Sequence, residues 1–321
     1  MTIVVDMPIE EEHRRMLDEA AGTDEIFYCE NDEIPADILA RCAILIGRPS
    51  LDTLRRAENV RLVQIHSAGV GEYLRLKEIR PEARLCCATG CYGTAISEHM
   101  LGVLLMMMKK LALYRDSQFD GAWRSRGFVD AIEGAKVLSV GMGDIGSTFA
   151  EKMHALGAEV IGVRRSPAEA PSYVKAVYPV SELDRLLPGA DVVALSMPET
   201  PETAGLMDER RLSLMKPGAY LINVGRGSAV DQDALVKALR EGRLAGAALD
   251  VTSPEPLPAE HPLWKEPGCV LTPHISGGFR LPLTLKKIIT LACANIRAYR
   301  DGLPLISEVD FERGYSRRAE R

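Results

Sequence analysis

The sequence lacks a hydrophobic segment long enough to cross a membrane. Its longest apolar run, residues 100–108, ends at Lys109 and falls far short of the ~20 residues that span a bilayer. Residues 1–6 show neither the basic start nor the long apolar stretch of a signal peptide. We therefore expect a cytoplasmic protein without a membrane partner.

Basic residues are too few for a general nucleic-acid-binding surface. The 321 residues include 39 Lys and Arg against 45 Asp and Glu, a formal net charge of −6 at pH 7. Small anionic substrates are not excluded, because their binding needs only a local basic group. The chain is 46% hydrophobic and 26% charged, as globular proteins are, and its length favours two domains.

The seven cysteines lack the paired spacing of a disulfide framework or a zinc site. They form no CxxC pair and their number is odd, so we expect buried, reduced thiols. Cys86, Cys87 and Cys91 lie close in sequence, but no second pair or matching histidine spacing accompanies them. We expect no metal.

Short apolar runs alternate with helical stretches, which predicts α/β architecture with mainly parallel sheets. The runs of the first ninety residues are 3–5, 26–28, 43–46, 62–65 and 85–88. Six more follow at 136–140, 159–163, 191–196, 220–224, 247–251 and 269–271. These six predict a doubly wound dinucleotide-binding sheet whose strands are buried on both faces. Amphipathic patterns at 97–115 and 281–299 predict long helices.

A glycine-rich turn follows the run at 136–140. Its GxGxxG residues are Gly141, Met142, Gly143, Asp144, Ile145 and Gly146. The turn precedes a helical stretch at 147–156, which is the context that a dinucleotide site requires. The glycines permit a tight turn, an approach of the pyrophosphate and close helix–strand packing, respectively. A glycine turn without a ligand is the alternative, and the context argues against it.

The end of the next strand is basic. Arg164, Arg165 and Ser166 stand where an NAD-preferring site would place an acid for the ribose 2′-OH. Arginine pairs bidentately with phosphate, which favours NADP(H) and still tolerates NAD(H). A solvated basic pair at a strand end is the alternative.

Three later strand ends each present one polar side chain: Arg226, Glu255 and His274. Ligands of a doubly wound sheet bind at the carboxyl ends of its strands, so the three would converge. Together they suit reduction of a 2-oxo acid. Arg226 would bind the carboxylate and carbonyl, His274 would donate the proton, and Glu255 would orient the imidazole. Taken alone, Arg226 is explained as a surface arginine, Glu255 as a loop acid and His274 as a turn histidine.

At these residues the chain resembles the D-isomer-specific 2-hydroxyacid dehydrogenases over nearly its whole length. The matching segments are 67–71, 96–105, 137–146, 196–203, 221–231, 248–258 and 271–277. The resemblance implies Arg226 as substrate anchor, Glu255 as histidine partner and His274 as acid/base. It also implies that Asp250 lies beside the nicotinamide amide, and that backbone at Ala68, Gly69 and Val70 holds the substrate carboxylate. Further cofactor contacts are implied at Met197, Pro198, Thr203, Val224 and Gly277.

The resemblance further implies two doubly wound parallel-sheet domains. A flavodoxin-like substrate domain would comprise residues 1–98 and 287–321, and a Rossmann domain residues 99–286. Homodimers are usual in the family. The helix near 98–115 and the arm at 117–132, with Trp123 and Phe128, would form the contact, and a packed intrachain loop is the alternative for this arm.

Some positions depart from the family pattern. Arg164 fits the NADP-using branch, and Gly71 stands where many relatives have an acid. The roles of Arg48, His66 and Tyr92 stay open. We expect an NAD(P)-dependent reductase of small 2-oxo acids, with glyoxylate and hydroxypyruvate as candidates. The alternatives are a dehydrogenase for another acid, such as 3-phosphoglycerate, or for an inorganic oxyanion, and a non-catalytic NAD(P)-sensing protein.

Overall fold

The chain divides into two compact units. The computed structural model describes residues 1–166, 169–279 and 281–316, so residues 317–321 of the predicted substrate domain lie outside the described part. One unit combines Met1–Tyr92 with the segment from Gly278 onward, and the other is Gly93–Gly277. The boundaries predicted from the sequence fall inside two helices, which begin at Gly93 and Pro282.

The first unit is built on a five-stranded parallel sheet. Its strands are β1 (Thr2–Asp6), β2 (Glu25–Cys29), β3 (Cys42–Gly47), β4 (Leu62–Ile65) and β5 (Arg84–Cys86). They lie in the order β2-β1-β3-β4-β5, which is the flavodoxin-like order. All five apolar runs predicted in this region are therefore strands.

Four helices connect these strands: α1 (Glu11–Ala21), α2 (Ala36–Arg41), α3 (Leu51–Arg56) and α4 (Leu76–Ile79). Ser50 caps α3, because its hydroxyl accepts the N–H of Thr53 at 3.1 Å. Helix α1 buries its apolar side, including Leu17, against the unit's core.

The second unit is built on a seven-stranded parallel sheet. Its strands are β6 (Lys136–Val140), β7 (Glu159–Arg164), β8 (Ala176–Pro179), β9 (Val192–Leu195), β10 (Ala219–Asn223), β11 (Leu244–Leu249) and β12 (Cys269–Leu271). The order β12-β11-β10-β9-β6-β7-β8 reverses between β6 and β9, as in a doubly wound dinucleotide-binding sheet. The predicted fold class is confirmed. The prediction missed β8, whose four residues are only half-buried.

The helices of this unit are α5 (Gly93–Met108), α6 (Leu111–Phe119), α7 (Asp144–Ala155), α8 (Leu183–Leu186), α9 (Glu209–Leu214) and α10 (Gln232–Arg240). The single helix predicted at 97–115 is wrong, because Lys110 is left-handed, with φ of 56°. The ammonium groups of Lys109 and Lys110 stabilise this break between α5 and α6. They donate to the carbonyls of Asp130 at 2.5 Å and Arg126 at 2.9 Å.

The chain then returns to the first unit as helix α11 (Pro282–Arg300), followed by the paired strands β13 (Val309–Asp310) and β14 (Tyr315–Ser316). Helix α11 packs along α1, and the Asn295 amide donates to Gln64 Oε1 at 2.6 Å. Within the described ranges, no helix is both long and apolar enough to cross a bilayer.

The cysteines lie mostly in the cores of the two units. Burial raises the pKa of the Cys42 and Cys269 thiols to about 12, so both stay protonated near neutral pH. Cys86, Cys87 and Cys91 are buried near one another in sequence. No group of three His, Cys, Asp or Glu side chains that could hold a metal occurs in the described part of the chain.

Candidate active site

The glycine-rich turn lies between β6 and α7, as predicted. The N–H of Gly141 donates to the Val163 carbonyl of β7 at 2.8 Å, and α7 begins three residues later at Asp144. The N–H groups from Met142 to Gly146 have no acceptor among the residues that the structure describes. Free N–H groups at a helix N-terminus attract anions such as phosphate.

The close packing around Gly146 accounts for the spacing of the motif. A Cβ at Gly146 would lie 1.9 Å from the Gly141 carbonyl oxygen. The Ser196 hydroxyl already donates to that same oxygen at 2.8 Å. A Cβ at Gly143, in contrast, would meet nothing within 4 Å, so the space beside it is open. This open cradle of N–H groups fits the pyrophosphate of a dinucleotide.

The other motif side chains are used within the unit. The Asp144 carboxylate accepts the N–H of Gly93, the first residue of α5, at 2.7 Å. Met142 packs against Gly162 of β7. A Cβ added at Gly162 would lie 2.8 Å from the Cγ of Met142. These residues could therefore contact a cofactor phosphate through their backbone.

The basic group lies at the end of β7. Arg164 is the last residue of this strand and directly follows Val163, which bonds the glycine turn. Its guanidinium makes no ion pair with a described acidic residue. Arg165 follows directly, after the strand has ended.

The loop after β9 is closed on itself and packs against the loop after β10. The Thr203 hydroxyl donates to the Pro198 carbonyl at 2.8 Å. Met197 is buried, and a Cβ at Gly225 would lie 2.7 Å from its carbonyl oxygen. Val224 links the two loops through its N–H bond to Leu195, 3.0 Å long. The predicted cofactor residues of this region thus lie on two adjacent loops at one edge of the sheet.

Arg226 is held between two tightly packed glycines. A Cβ at Gly227 would lie 1.9 Å from the Thr252 carbonyl oxygen, so only glycine fits there. Asn223, fully buried at the end of β10, accepts the N–H of Gly225 at 3.0 Å and donates to the Arg226 carbonyl at 2.9 Å. This clamp fixes the backbone from which the guanidinium projects.

Glu255 and His274 form a hydrogen-bonded pair. Glu255 Oε2 lies 2.9 Å from His274 Nδ1, and Oε1 accepts the N–H of Thr252 at 3.0 Å. An ionised carboxylate only accepts, so Nδ1 donates and Nε2 stays available to a substrate. The pair is half-exposed, with side chains 40% and 52% accessible. Thr252 contacts both Gly227 and Glu255 and so joins Arg226 to the pair.

Asp250 fixes the loop that carries His274. Its carboxylate, buried with only 3% of the residue exposed, accepts the Thr272 hydroxyl at 2.6 Å. It also accepts the N–H groups of Ile275 at 2.9 Å and Ser276 at 3.1 Å. Its backbone carbonyl accepts the N–H of His274, whose φ is 52°. Both carboxylate oxygens are engaged within the unit, and the implied contact with the nicotinamide amide stays a prediction.

The loop at Ala68, Gly69 and Val70 follows β4 in the first unit. The Ser67 hydroxyl donates to the Gly69 carbonyl at 2.8 Å, which tightens the turn. The three N–H groups of 68–70 have no acceptor within residues 1–166, 169–279 and 281–316. Successive free N–H groups make a concavity that suits a carboxylate.

His66, Arg48 and Tyr92 lie around this loop. The His66 ring packs on Phe279, with centroids 4.8 Å apart. Burial and the charge of Arg48 lower the pKa of His66, and its Nδ1 is buried without a partner among the described residues. The Tyr92 hydroxyl donates to the His66 carbonyl at 2.5 Å, so it supports the backbone there. Arg48 is exposed and lies 3.9 Å from Glu72.

Comparison with known proteins identifies the family. The model of the NAD-binding domain of D-isomer specific 2-hydroxyacid dehydrogenases matches residues 101–276. The chain belongs to this family. Glyoxylate/hydroxypyruvate reductase A of Serratia proteamaculans is 31% identical over 296 residues, which cover 88% of this chain and 89% of the relative.

Solved structures agree with this assignment. A D-isomer specific 2-hydroxyacid dehydrogenase family protein of Aeromonas salmonicida has a TM-score of 0.87 and 32% identity, over 97% of this chain and 99% of its own. The NADPH-dependent glyoxylate/hydroxypyruvate reductase of Sinorhizobium meliloti, solved with NADP and sulfate, has a TM-score of 0.81 and 26% identity, over 98% and 99%. The dehydrogenase is an oxidoreductase that transfers hydride between a nicotinamide cofactor and a 2-hydroxy or 2-oxo acid. The predicted family and reaction are confirmed.

Sequence reasoning missed two supporting residues of the dehydrogenase. Asn223 could have been noticed as an amide at the end of an otherwise apolar strand, two residues before Gly225. His99 Nε2 lies 3.3 Å from the Thr272 hydroxyl, a contact between residues far apart in sequence. No pattern in the local sequence indicates such a contact.

Proposed function

We propose that the dehydrogenase is an NADP(H)-preferring reductase of small 2-oxo acids, with glyoxylate and hydroxypyruvate as candidate substrates. The hydrogen bond between Glu255 and His274, 2.9 Å long beside the clamped Arg226, carries this proposal. The names of the relatives from Serratia proteamaculans and Sinorhizobium meliloti support the choice of substrates.

In the proposed mechanism, Arg226 pairs with the substrate carboxylate and polarises the carbonyl oxygen through its planar guanidinium. The reduced nicotinamide, when bound, supplies the hydride for the carbonyl carbon. His274 donates the proton from Nε2 to the carbonyl oxygen, which becomes the hydroxyl. Glu255 stabilises the protonated ring before this transfer and fixes its orientation. Backbone of Ala68, Gly69 and Val70 is a proposed second contact for the carboxylate.

The preference for NADP(H) rests on the end of β7. An acid there would accept hydrogen bonds from a free ribose 2′-OH and would repel a 2′-phosphate. Arg164 and Arg165 stand in its place, with the Ser166 hydroxyl next to them. A guanidinium favours the phosphate by charge and by its paired donors.

The proposal extends to assembly and location. Trp123 and Phe128 are fully exposed on the irregular segment after α6, and Phe119 is largely exposed beside them. Exposed aromatic side chains at this density mark contact surfaces, so we assign this segment to a homodimer interface. A cytoplasmic location is proposed with it.

The decisive experiment follows nicotinamide absorbance while purified enzyme is mixed with NADPH, or separately NADH, and a panel of 2-oxo acids. The panel runs from glyoxylate and hydroxypyruvate to pyruvate, branched and aromatic acids. We expect fastest oxidation of NADPH with glyoxylate and hydroxypyruvate, and a rate close to the background with His274→Ala. Fast turnover of a larger acid would reassign the substrate. Tight NADPH binding without turnover across the panel would favour an unusual acid, an oxyanion or a sensing protein.

A further inference from the structure

The loop that carries His274 is connected to helix α5 by a continuous chain of hydrogen bonds. His99 Nε2 lies 3.3 Å from the Thr272 hydroxyl, and that hydroxyl lies 2.6 Å from Asp250 Oδ1. Asp250 then accepts the N–H groups of Ile275 and Ser276, directly after His274. Every member belongs to the second unit.

The direction of these bonds is fixed by their chemistry. A carboxylate only accepts, and the bond at 2.6 Å therefore uses the one hydrogen of the Thr272 hydroxyl. His99 Nε2 must then be the donor to the Thr272 oxygen. The Thr272 hydroxyl can make its bond to Asp250 while its own oxygen is satisfied by the imidazole, and successive bonds of this kind polarise one another.

Helix α5 is also tied to α7, the helix that follows the glycine-rich turn. The N–H of Gly93 donates to Asp144 at the start of α7, and Glu98 pairs with Lys152 of α7 at 3.0 Å. Gly93 and His99 are less than two helical turns apart. One rigid helix therefore contacts both the element that would hold the cofactor and the loop that holds the acid.

We propose that His99 is a positioning residue of the reduction: through Thr272 it orients Asp250, and thereby the backbone that carries His274. This inference rests on the proposed role of His274 as the proton donor. His99 Nε2 bonds the Thr272 hydroxyl, so the effect of His99 on the reaction passes through Thr272 and Asp250. Its contribution is to keep the imidazole of His274 at the distance from the dinucleotide cradle that hydride and proton transfer both need, since small errors of position are costly in rate.

The test compares His99→Leu, His99→Gln, Thr272→Val and Thr272→Ser, with His154→Leu on α7 as an exposed histidine control. Loss of the neutral hydrogen bond between His99 and Thr272 predicts a fall in kcat of about 3- to 10-fold for His99→Leu. Thr272→Val loses this bond and also the bond to the Asp250 carboxylate, so its kcat should fall further. The dissociation constant for NADPH should stay unchanged. The Gln and Ser variants keep a donor and a hydroxyl, and should recover most of the rate.

A double variant separates this mechanism from two independent defects. Because both substitutions interrupt one chain, His99→Leu with Thr272→Val should be no slower than the slower single variant. Rate losses that multiply would overturn the proposal. So would an unchanged kcat in His99→Leu, or an equal loss in His99→Gln together with a lower Tm, which would indicate a merely structural role.

Hydrogen exchange gives a readout that does not depend on activity. The amides of Ile275 and Ser276 should exchange faster in His99→Leu than in wild type or His154→Leu. If wild type reduces none of the tested acids, the proposed function fails, and this comparison still decides whether His99 holds the loop. Unchanged exchange would refute the inference.

Discussion

One carboxylate, that of Glu255, joins the Thr252 backbone to the ring of His274, with contacts of 3.0 and 2.9 Å. Half-exposed ion pairs contribute little to stability, so the value of this contact lies in the orientation of the ring. The carboxylate selects Nδ1 as its donor and leaves Nε2 for chemistry.

Replacing either member should impair proton transfer in different ways. His274→Ala removes the proton donor, and kcat should fall by about 10²- to 10⁴-fold while the NADPH dissociation constant is kept. Glu255→Gln keeps the shape but removes the anionic partner that orients the ring, so kcat should fall, though by less than in His274→Ala. Steady-state rates of both variants at neutral pH check both. Near-normal turnover of His274→Ala would remove the catalytic assignment.

Arg226→Ala should raise KM and lower kcat together. Truncating one partner of a charge-assisted pair predicts a loss in kcat/KM of about 10²- to 10³-fold. Arg226→Lys keeps the charge without the planar fork and should recover only part of it. Arg210→Ala, which removes an exposed arginine paired with Asp184, is the control and should leave both constants unchanged. Equal effects of the two alanine variants would contradict the role of Arg226.

Arg164→Asp should shift the cofactor preference toward NAD(H). The new acid would repel a 2′-phosphate and accept bonds from a free ribose, so the ratio of kcat/KM for NADPH over NADH should fall at least about tenfold. The same ratio for Arg164→Lys should lie between those of Arg164→Asp and wild type. The two cofactors are compared with one saturating acid. An unchanged ratio would remove Arg164 from the cofactor site.

Two glycines of one motif should respond differently to alanine. In Gly146→Ala the new Cβ meets the Gly141 carbonyl at 1.9 Å, and overpacking of this kind should lower the Tm by about 3 to 10 °C. In Gly143→Ala the Cβ meets no protein atom within 4 Å, so the Tm should stay unchanged without cofactor. It would instead occupy the space for the pyrophosphate. Thermal unfolding with and without NADPH separates the two effects, and a normal NADPH-induced stabilisation of Gly143→Ala would place the phosphates elsewhere.

His66 should make stability depend on pH. Burial and the charge of Arg48 lower its pKa from the ordinary 6.5, so the unfolded chain takes up this proton first as pH falls. The contribution of His66 is complete above about pH 6.5 and is lost below it. Between pH 7.5 and pH 5, the Tm of the wild type should therefore fall further than the Tm of His66→Gln. A constant difference between the two proteins over that range would show that the His66 pKa is unperturbed.

The sequence was sufficient to predict the elements that a local sequence pattern indicates. Strands such as β6 and β10 are continuous apolar runs because both faces are buried, and the glycine motif is bounded by a strand and a helix. Strand β8 escaped prediction because its residues are only half-buried and it ends at Pro179. The break at Lys110 escaped too, because its causes are carbonyls of Arg126 and Asp130, more than ten residues away.

The same division applies to the candidate site. Arg226, Glu255 and His274 follow apolar strands, and their chemistry could be inferred from residue type and place. The clamp by Asn223 and the chain from His99 to Asp250 could not, because they consist of tertiary contacts. Asp250 illustrates the limit. Its position was noticed, but its several bonds to the His274 loop appear only in three dimensions.

The return of the chain to its first unit has a consequence for biosynthesis. On the ribosome, strands β1 to β5 and helix α1 emerge before the second unit, whereas α11, which packs along α1, emerges after it. The amide of Asn295 reaches Gln64, and Glu308 reaches Arg84, only at that stage. The continuous segment 93–277 can close its core during translation. The sheet of the first unit must wait, with α1 uncovered, until α11 has been made.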